Sequence, residues 1–236
     1  MSEEKDGSLI EHLEALRETL LKCIISLCVV FPFVFFIAPY VLNWIIDTIL
    51  GGTNIKLNYF SPMEVLIIQI KTAFILDLVV CSPYIAKKVW DFILPALYDN
   101  ERRFIKSIVF LSSGLFILGV AFCLFVMLPF VIKFGLSFAT QNINAMFSIS
   151  NVVNLALIMS LSFGVMFQMP LITHALIKSG LMSYESISDK RPYVIIIILI
   201  IAGILTPPDI VSQITLGLPT YLLFELGLIF SRNIKS

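Results

Sequence analysis

Apolar residues occur in long unbroken runs separated by short polar stretches. Six runs stand out, over residues 20–42, 65–89, 108–131, 152–177, 193–205 and 214–230. A bilayer hydrocarbon core of about 30 Å takes about 20 apolar residues in a helix rising about 1.5 Å per residue. The first four runs reach that length. The last two hold 13 and 17 residues, or only about 20 and 25 Å at that rise. The pattern predicts an all-α integral membrane protein: one domain over residues 1–236 with six transmembrane helices, the last two short. Lys190-Arg191-Pro192 and Thr206-Pro207-Pro208-Asp209 bound the fifth run, and proline stops a helix sharply. Two readings of the short pair stand side by side. One is a tight hairpin over a locally thinned bilayer; the other is extension of both helices into the headgroups by flanking polar residues.

Ahead of the first run, Leu9, Leu13, Leu16 and Leu20 repeat at helical spacing. Ser8 and Glu11 fit a capping box, in which each side chain satisfies an unpaired backbone donor. This predicts an amphipathic N-terminal helix at the membrane interface that runs into the first span. Glu3, Glu4 and Asp6 make the terminus acidic, unlike the basic start of a signal peptide, so the first run reads as a retained span.

Composition removes the main alternatives. The chain is 58% hydrophobic and 14% charged, with a mean hydropathy of +0.98. Soluble domains carry about 25% charged residues. Sixteen basic and sixteen acidic residues balance, so no basic excess points to nucleic acid and no polar tract points to disorder. The charges are unevenly placed. With six spans, 13 of the 16 Lys and Arg residues share a side with both termini. By the positive-inside rule that side is cytoplasmic, giving a multi-pass protein with both termini inside. Eleven acids sit there too, including Glu14 and Glu101, and topology does not require them. Cys23, Cys28, Cys81 and Cys123 lie in apolar runs without a CxxC pair and read as small hydrophobes.

No catalytic motif or metal-ligand spacing is present. Ser162 and His174 lie twelve residues apart, or about 18 Å along one helix, too far for a nucleophile–base bond. The chain therefore reads as a non-enzyme without cofactor or metal. Polar groups inside the spans are costly and usually face protein or water. Glu64, Lys71, Asp77 and Glu225 either pair with neighbouring helices or form the coupling path of a small-molecule secondary transporter. The lack of an internal repeat weakens the transporter reading. The loop after the second run holds Trp90, Asp91, Phe92, Pro95, Tyr98, Asp99, Glu101, Arg102 and Arg103. Carboxylates there suit a guanidinium ligand, which pairs with them bidentately.

In order and spacing, several motifs resemble those of the TatC family, the multi-span receptor and core of the twin-arginine (Sec-independent) protein translocase. They are His12-Leu13-Glu14-Ala15-Leu16-Arg17, Ser61-Pro62-Met63-Glu64, and Trp90-Asp91-Phe92-Ile93-Leu94-Pro95-Ala96-Leu97-Tyr98 through Glu101-Arg102-Arg103. Later ones are Phe163-Gly164 through Phe167-Gln168-Met169-Pro170, Arg191-Pro192-Tyr193, Thr206-Pro207-Pro208-Asp209 and Leu223-Phe224-Glu225. The resemblance covers nearly the whole chain. It implies a cup-like six-span protein of the cytoplasmic (inner) membrane that binds twin-arginine signal peptides of folded cargo. It implies TatA-like and TatB-like single-span partners, a homo-oligomer within the complex, and transport driven by the proton-motive force. On matched positions, Glu101 is the arginine partner, with Glu14, Arg17, Phe92, Pro95 and Tyr98 completing the peptide site. Gln168 and Pro170 belong to partner-helix docking, and Pro207, Pro208 and Asp209 form the outer turn. Three positions depart from the family pattern. Ala15 replaces an acid, with Glu14 about 100° away on the helix; Lys88 replaces a Gln; Gln168 stands where a Glu is common.

Overall fold

The computed structural model describes residues 3–50, 57–93, 102–137, 148–178, 180–205 and 210–232, with side chains from Leu13 in the first segment and from Ser107 in the third. The helices are α1 (Glu3–Leu50), α2 (Pro62–Ile93), α3 (Arg102–Phe122), α4 (Leu128–Leu136), α5 (Ile149–Met166), α6 (Met169–Lys178), α7 (Tyr184–Asp189), α8 (Arg191–Leu205) and α9 (Ile210–Ser231). A single π-helical turn, Cys123–Met127, joins α3 to α4. Among the described residues the only β pairing is an isolated parallel bridge between Asn58 and Ser148.

The boundaries follow from local chemistry, with two corrections to the expected ones. Helix α1 begins at Glu3, so Ser8 lies inside it and does not cap it. The acidic residues Glu3, Glu4 and Asp6 suit the positive end of the helix dipole. Neither Gly nor Pro occurs from Ser8 to Phe31, so the amphipathic segment and the first span form one continuous helix. The second correction concerns α9, which has 22 residues and starts four positions before the expected 214. The polar pair Ser212-Gln213 reads as loop in the sequence. In the fold Ser212 is buried, and Gln213 Nε2 donates to Leu199 O at 2.9 Å. A neighbouring helix therefore satisfies the polar groups, and α9 reaches about 33 Å at about 1.5 Å per residue. Helix α8, with 15 residues, remains short at about 22 Å.

Proline explains the two interruptions. Pro129, second in α4, cannot donate to the turn before it, and the backbone widens into the π turn there. Pro170, second in α6, leaves the helix broken at Phe167 and Gln168. The Gln168 carbonyl then accepts from both Leu171 N and Ile172 N at 3.0 Å and starts the next segment.

Contacts fix the register. Cys81 lies against Ser26, and Leu42 packs with Ile68, so α1 and α2 run antiparallel. Lys71 bonds Asn154, and Glu64 bonds Ser148, so α2 and α5 run parallel. Ser112 bonds Gln168, setting α3 antiparallel to the α5–α6 pair. His174 meets Ser231, so α6 runs parallel to α9, and Arg191 meets Glu225, so α8 and α9 are antiparallel. The main core gathers Ile45, Cys123, Leu128, Met159, Phe163, Ala202 and Leu216 from α1, the π turn, α4, α5, α8 and α9.

Outside that core the surface is apolar. Phe33 is 71% exposed, Phe36 78% and Phe110 83%. Apolar surface on this scale is not left to water. Five helical segments are long and apolar enough to cross a membrane: Leu13–Leu50, Pro62–Ile93, Ser107–Leu136, Ile149–Lys178 and Ile210–Ser231. Length, hydropathy and exposure together define an integral membrane protein.

Candidate functional site

The antiparallel register of α1 and α2 places Glu14 and Arg17 at the same end of the molecule as Phe92. Glu14, Ala15 and Arg17 are all exposed on α1, and Phe92 is half-buried near the end of α2. Glu14 and Arg17 have no ion-pair partner among the described residues. One turn further on, Glu18 pairs with Lys22. Lys88 lies with its ammonium 5.7 Å from the centre of the Tyr84 ring, a cation–π contact, and close enough to Glu18 to act on it electrostatically. Tyr84 and Glu18 thus offset the cation that the sequence places near the loop. A groove of about 450 Å³ runs between the two helices, lined by Lys22, Ile25, Ser26, Val80, Cys81 and Tyr84. Glu101, Pro95 and Tyr98 lie outside the described residues, as do Pro207, Pro208 and Asp209. Of the expected peptide-site residues, the register therefore puts Glu14, Arg17 and Phe92 at one end of the molecule.

Gln168 forms a staple between α3 and the α5–α6 break. Ser112 Oγ donates to its Oε1 at 2.6 Å, and its Nε2 donates to Ser112 O at 3.1 Å and Gly164 O at 3.4 Å. A carboxylate has no N–H to give and cannot make the last two bonds. The side chain also lines a groove of about 430 Å³ with Ser82, Trp90, Ser112, Phe116 and Ile172. Pro170 sits beside α9 at Gly227, where an added Cβ would meet Pro170 Cα at 2.8 Å. Gln168→Leu strands the Ser112 groups in an apolar setting, and a stranded buried group costs about 1–3 kcal/mol. A lower thermal unfolding midpoint in detergent is expected. An unchanged midpoint would show that the staple contributes nothing.

The other intramembrane polar groups have separate partners. Glu64 accepts from Phe60 N at 2.8 Å, Ser148 Oγ at 2.7 Å and Ser150 N at 3.2 Å, which anchors the start of α5. Lys71 Nζ donates to Asn154 Oδ1 at 2.9 Å. Asp77 is buried and accepts from Cys81 Sγ at 3.6 Å. Glu225 binds Arg191 Nε at 2.8 Å and the Tyr221 hydroxyl at 2.8 Å, tying the α8–α9 hairpin at one end. Glu64, Lys71 and Glu225 each pair with a neighbouring element, which favours structural pairing over a coupling path, whereas Asp77 Oδ2 is buried with no hydrogen-bond partner among the described residues. Ser162 Oγ donates to Ile158 O, and His174 Nδ1 contacts Ser231 Oγ, so the two face different partners. Among the described residues no group of three or more His, Cys, Asp or Glu is placed to hold a metal ion.

Sequence reasoning missed Ser112, Asn154, Ser148 and Ser150 as partners, and Gly119 and Gly164 as contact points. The available signal was a small or polar residue inside an apolar run, which in membranes marks a helix–helix contact.

The arrangement defines a polytopic α-helical membrane protein whose embedded polar groups hold its helices together. Comparison with known proteins then narrows the class. The family model for TatC, the Sec-independent protein translocase protein, matches residues 11–219. The chain is 35% identical over 237 residues to the Sec-independent protein translocase protein TatC of Escherichia coli (strain K12), covering 98% of this chain and 91% of that one. It is 34% identical over 233 residues to TatC of Haemophilus influenzae, covering 95% and 88%. A crystal structure of the twin arginine translocase receptor TatC in the detergent DDM superposes with a TM-score of 0.86 at 31% identity, covering 93% of this chain and 99% of that one. The chain belongs to the TatC family. It is accordingly a translocase subunit and not an enzyme.

Proposed function

We propose that this protein is the signal-peptide receptor and core subunit of a twin-arginine translocase in the cytoplasmic membrane. The observation that carries the reading is the likeness in fold, over 93% of this chain at 31% identity, to a solved twin arginine translocase receptor. The exposed Glu14 and Arg17 beside the end of α2 support a site at that end. Glu101, in the segment that follows α2, supplies the carboxylate for the guanidinium pair. Glu14 contributes a second acid from α1 in place of the missing one at Ala15. Phe92, Pro95 and Tyr98 form the apolar border that takes the flanking part of the peptide.

The topology belongs to the same reading: one domain over 1–236, six spans in a cup-like arrangement, both termini cytoplasmic, and α8 as the sixth crossing over a thinned bilayer. The alternating registers and the 13-of-16 partition of basic residues support it. TatA-like and TatB-like single-span proteins and further copies of this chain complete the complex, since six helices do not enclose a path for a folded cargo. Gln168 and Pro170 line the side on which partner helices dock, and the Pro207-Pro208-Asp209 turn faces outward. The proton-motive force drives transport.

A photo-cross-linker at Phe92 or Glu14 tests the site in membranes. Adducts with an Arg-Arg signal peptide, reduced with its Lys-Lys twin, are expected from both positions. Equal adducts with the two peptides, or none, would contradict the placement.

A further inference from the structure

Besides the two grooves already described, another runs along α5 from Asn154 to Val165. It measures about 590 Å³ and is lined by Phe31 of α1, Phe74 of α2, Leu157, Leu161 and Val165 of α5, and Leu205 of α8. Lys71 and Asn154 stand at one end of it. The Lys71 ammonium has three donors, and one of them goes to Asn154 Oδ1 at 2.9 Å. Asn154 is itself held, its Nδ2 donating to Ser150 Oγ at 3.2 Å. Among the described residues no carboxylate pairs with Lys71. Glu64, two turns away on α2, is engaged by Phe60 N, Ser148 and Ser150. An ammonium inside a membrane is expensive unless it meets an anion or water. This one is exposed, fixed in place, and flanked by apolar wall.

We infer that the groove binds one phospholipid, with its phosphate on Lys71 and one acyl chain lying against α5 between Phe31 and Phe74. Charge favours an anionic headgroup, since two Lys71 donors remain beyond the bond to Asn154, and length suits one acyl chain below it. From Asn154 to Val165 is eleven residues, or about 16 Å at about 1.5 Å per residue. That is the depth of one leaflet, half of a hydrocarbon core of about 30 Å. Depth agrees as well: Asn154 is the sixth residue of α5, so the ammonium lies within two turns of the helix end, where a headgroup reaches it. Helix α8 contributes to the groove at its end. It has 15 residues and ends at Leu205, inside the groove wall. The inference goes beyond the receptor reading and holds whatever peptide the protein binds.

The test is native mass spectrometry of the full-length protein in neutral detergent, titrated with phosphatidylglycerol, phosphatidylcholine or soluble glycerol phosphate. Wild type should retain one phosphatidylglycerol with about a fivefold preference over phosphatidylcholine, the effect of one basic residue on an anionic headgroup. Lys71→Met should remove the preference. Leu161→Trp fills the groove and leaves the Lys71–Asn154 bond intact, so it should lower retention of both lipids. Unchanged lipid adducts in both variants would overturn the inference. So would competition by glycerol phosphate as strong as by the lipid, which would mark a free-anion site. Loss of a co-purifying single-span subunit from Lys71→Met, with lipid retained, would assign the groove to a partner helix and overturn it too.

Discussion

Glu101→Ala is expected to abolish recognition of a twin-arginine signal peptide while leaving the protein folded and inserted. A bidentate carboxylate–guanidinium pair is among the stronger polar contacts because both partners are ionised and their geometries match. Truncating one partner of a desolvated charge pair costs about 2–4 kcal/mol, or roughly 30- to 1,000-fold in affinity. Much of that penalty comes from the guanidinium left without its counter-charge. Glu14→Ala should cost far less, because Glu14 is exposed on α1 and exposed pairs contribute about 0.2–1 kcal/mol. Peptide titration against the detergent-solubilised protein reads both variants. The account requires the large effect at Glu101 and the small one at Glu14. Full affinity in Glu101→Ala would remove that residue from the site.

The largest structural effect is expected at Gly119. Helices α3 and α5 cross there so closely that an added Cβ would stand 2.5 Å from Phe163 O and 2.9 Å from Phe167 Cγ. The approach is reciprocal, since a Cβ on Gly164 would meet the Phe116 ring at 2.8 Å. Phe122 sits in the same crossing, with ring centroids 5.7 Å from Phe163 and 5.5 Å from Phe167. Membrane helices gain stability where small residues let backbones approach. A methyl pressed against a backbone carbonyl cannot be relieved by a rotamer change, so one helix must move. Gly119→Ala should cost about 3 kcal/mol, at the upper end of ordinary overpacking. It should lower the unfolding midpoint and the yield of monodisperse protein in detergent. Gly114 is the control on the same helix: nothing lies within 4 Å of its Cβ position. Gly114→Ala should be neutral, or stabilising by up to about 1 kcal/mol through helix propensity. Equal midpoints for the two variants would show that the α3–α5 crossing is not held by close backbone contact.

Elements set by local chemistry were legible in the sequence. The apolar runs located the long helices because a bilayer demands them. The run over 152–177 reads as one span, whereas the fold breaks it into α5 and α6 beside Pro170, which removes a backbone donor. The family motifs identified the chain for a different reason, their order over its whole length. Elements set by distant partners were not legible. Ser212-Gln213 looks like a loop until Leu199 supplies an acceptor, so the start of α9 was placed four residues late. Ser8 looks like a cap because the capping pattern is local, whereas the helix begins at the acidic residues before it. Glu64 and Lys71 share a face at a spacing of seven, which periodicity reveals. That both address the first turns of α5 depends on a register between helices some 85 residues apart in the chain. Gln168 stands out in the sequence as a polar residue within an apolar run, but its bonding to Ser112 does not, because the small polar pair Ser112-Ser113 on α3 does not name its partner. For the expected peptide site, the family resemblance named Glu14, Arg17 and Phe92, and only the antiparallel register of α1 and α2 puts them at one end.

The receptor reading makes one demand that neither packing nor topology imposes: the protein must distinguish guanidinium from ammonium at equal charge. The most direct measurement is therefore the affinity of the purified wild-type protein for an Arg-Arg signal peptide against its Lys-Lys twin, at one ionic strength. Arginine offers a planar fork that fits a carboxylate bidentately, and lysine offers a point charge. The account predicts tighter binding of the Arg-Arg peptide by at least about tenfold, or 1.4 kcal/mol. Equal affinities for the two peptides would contradict it.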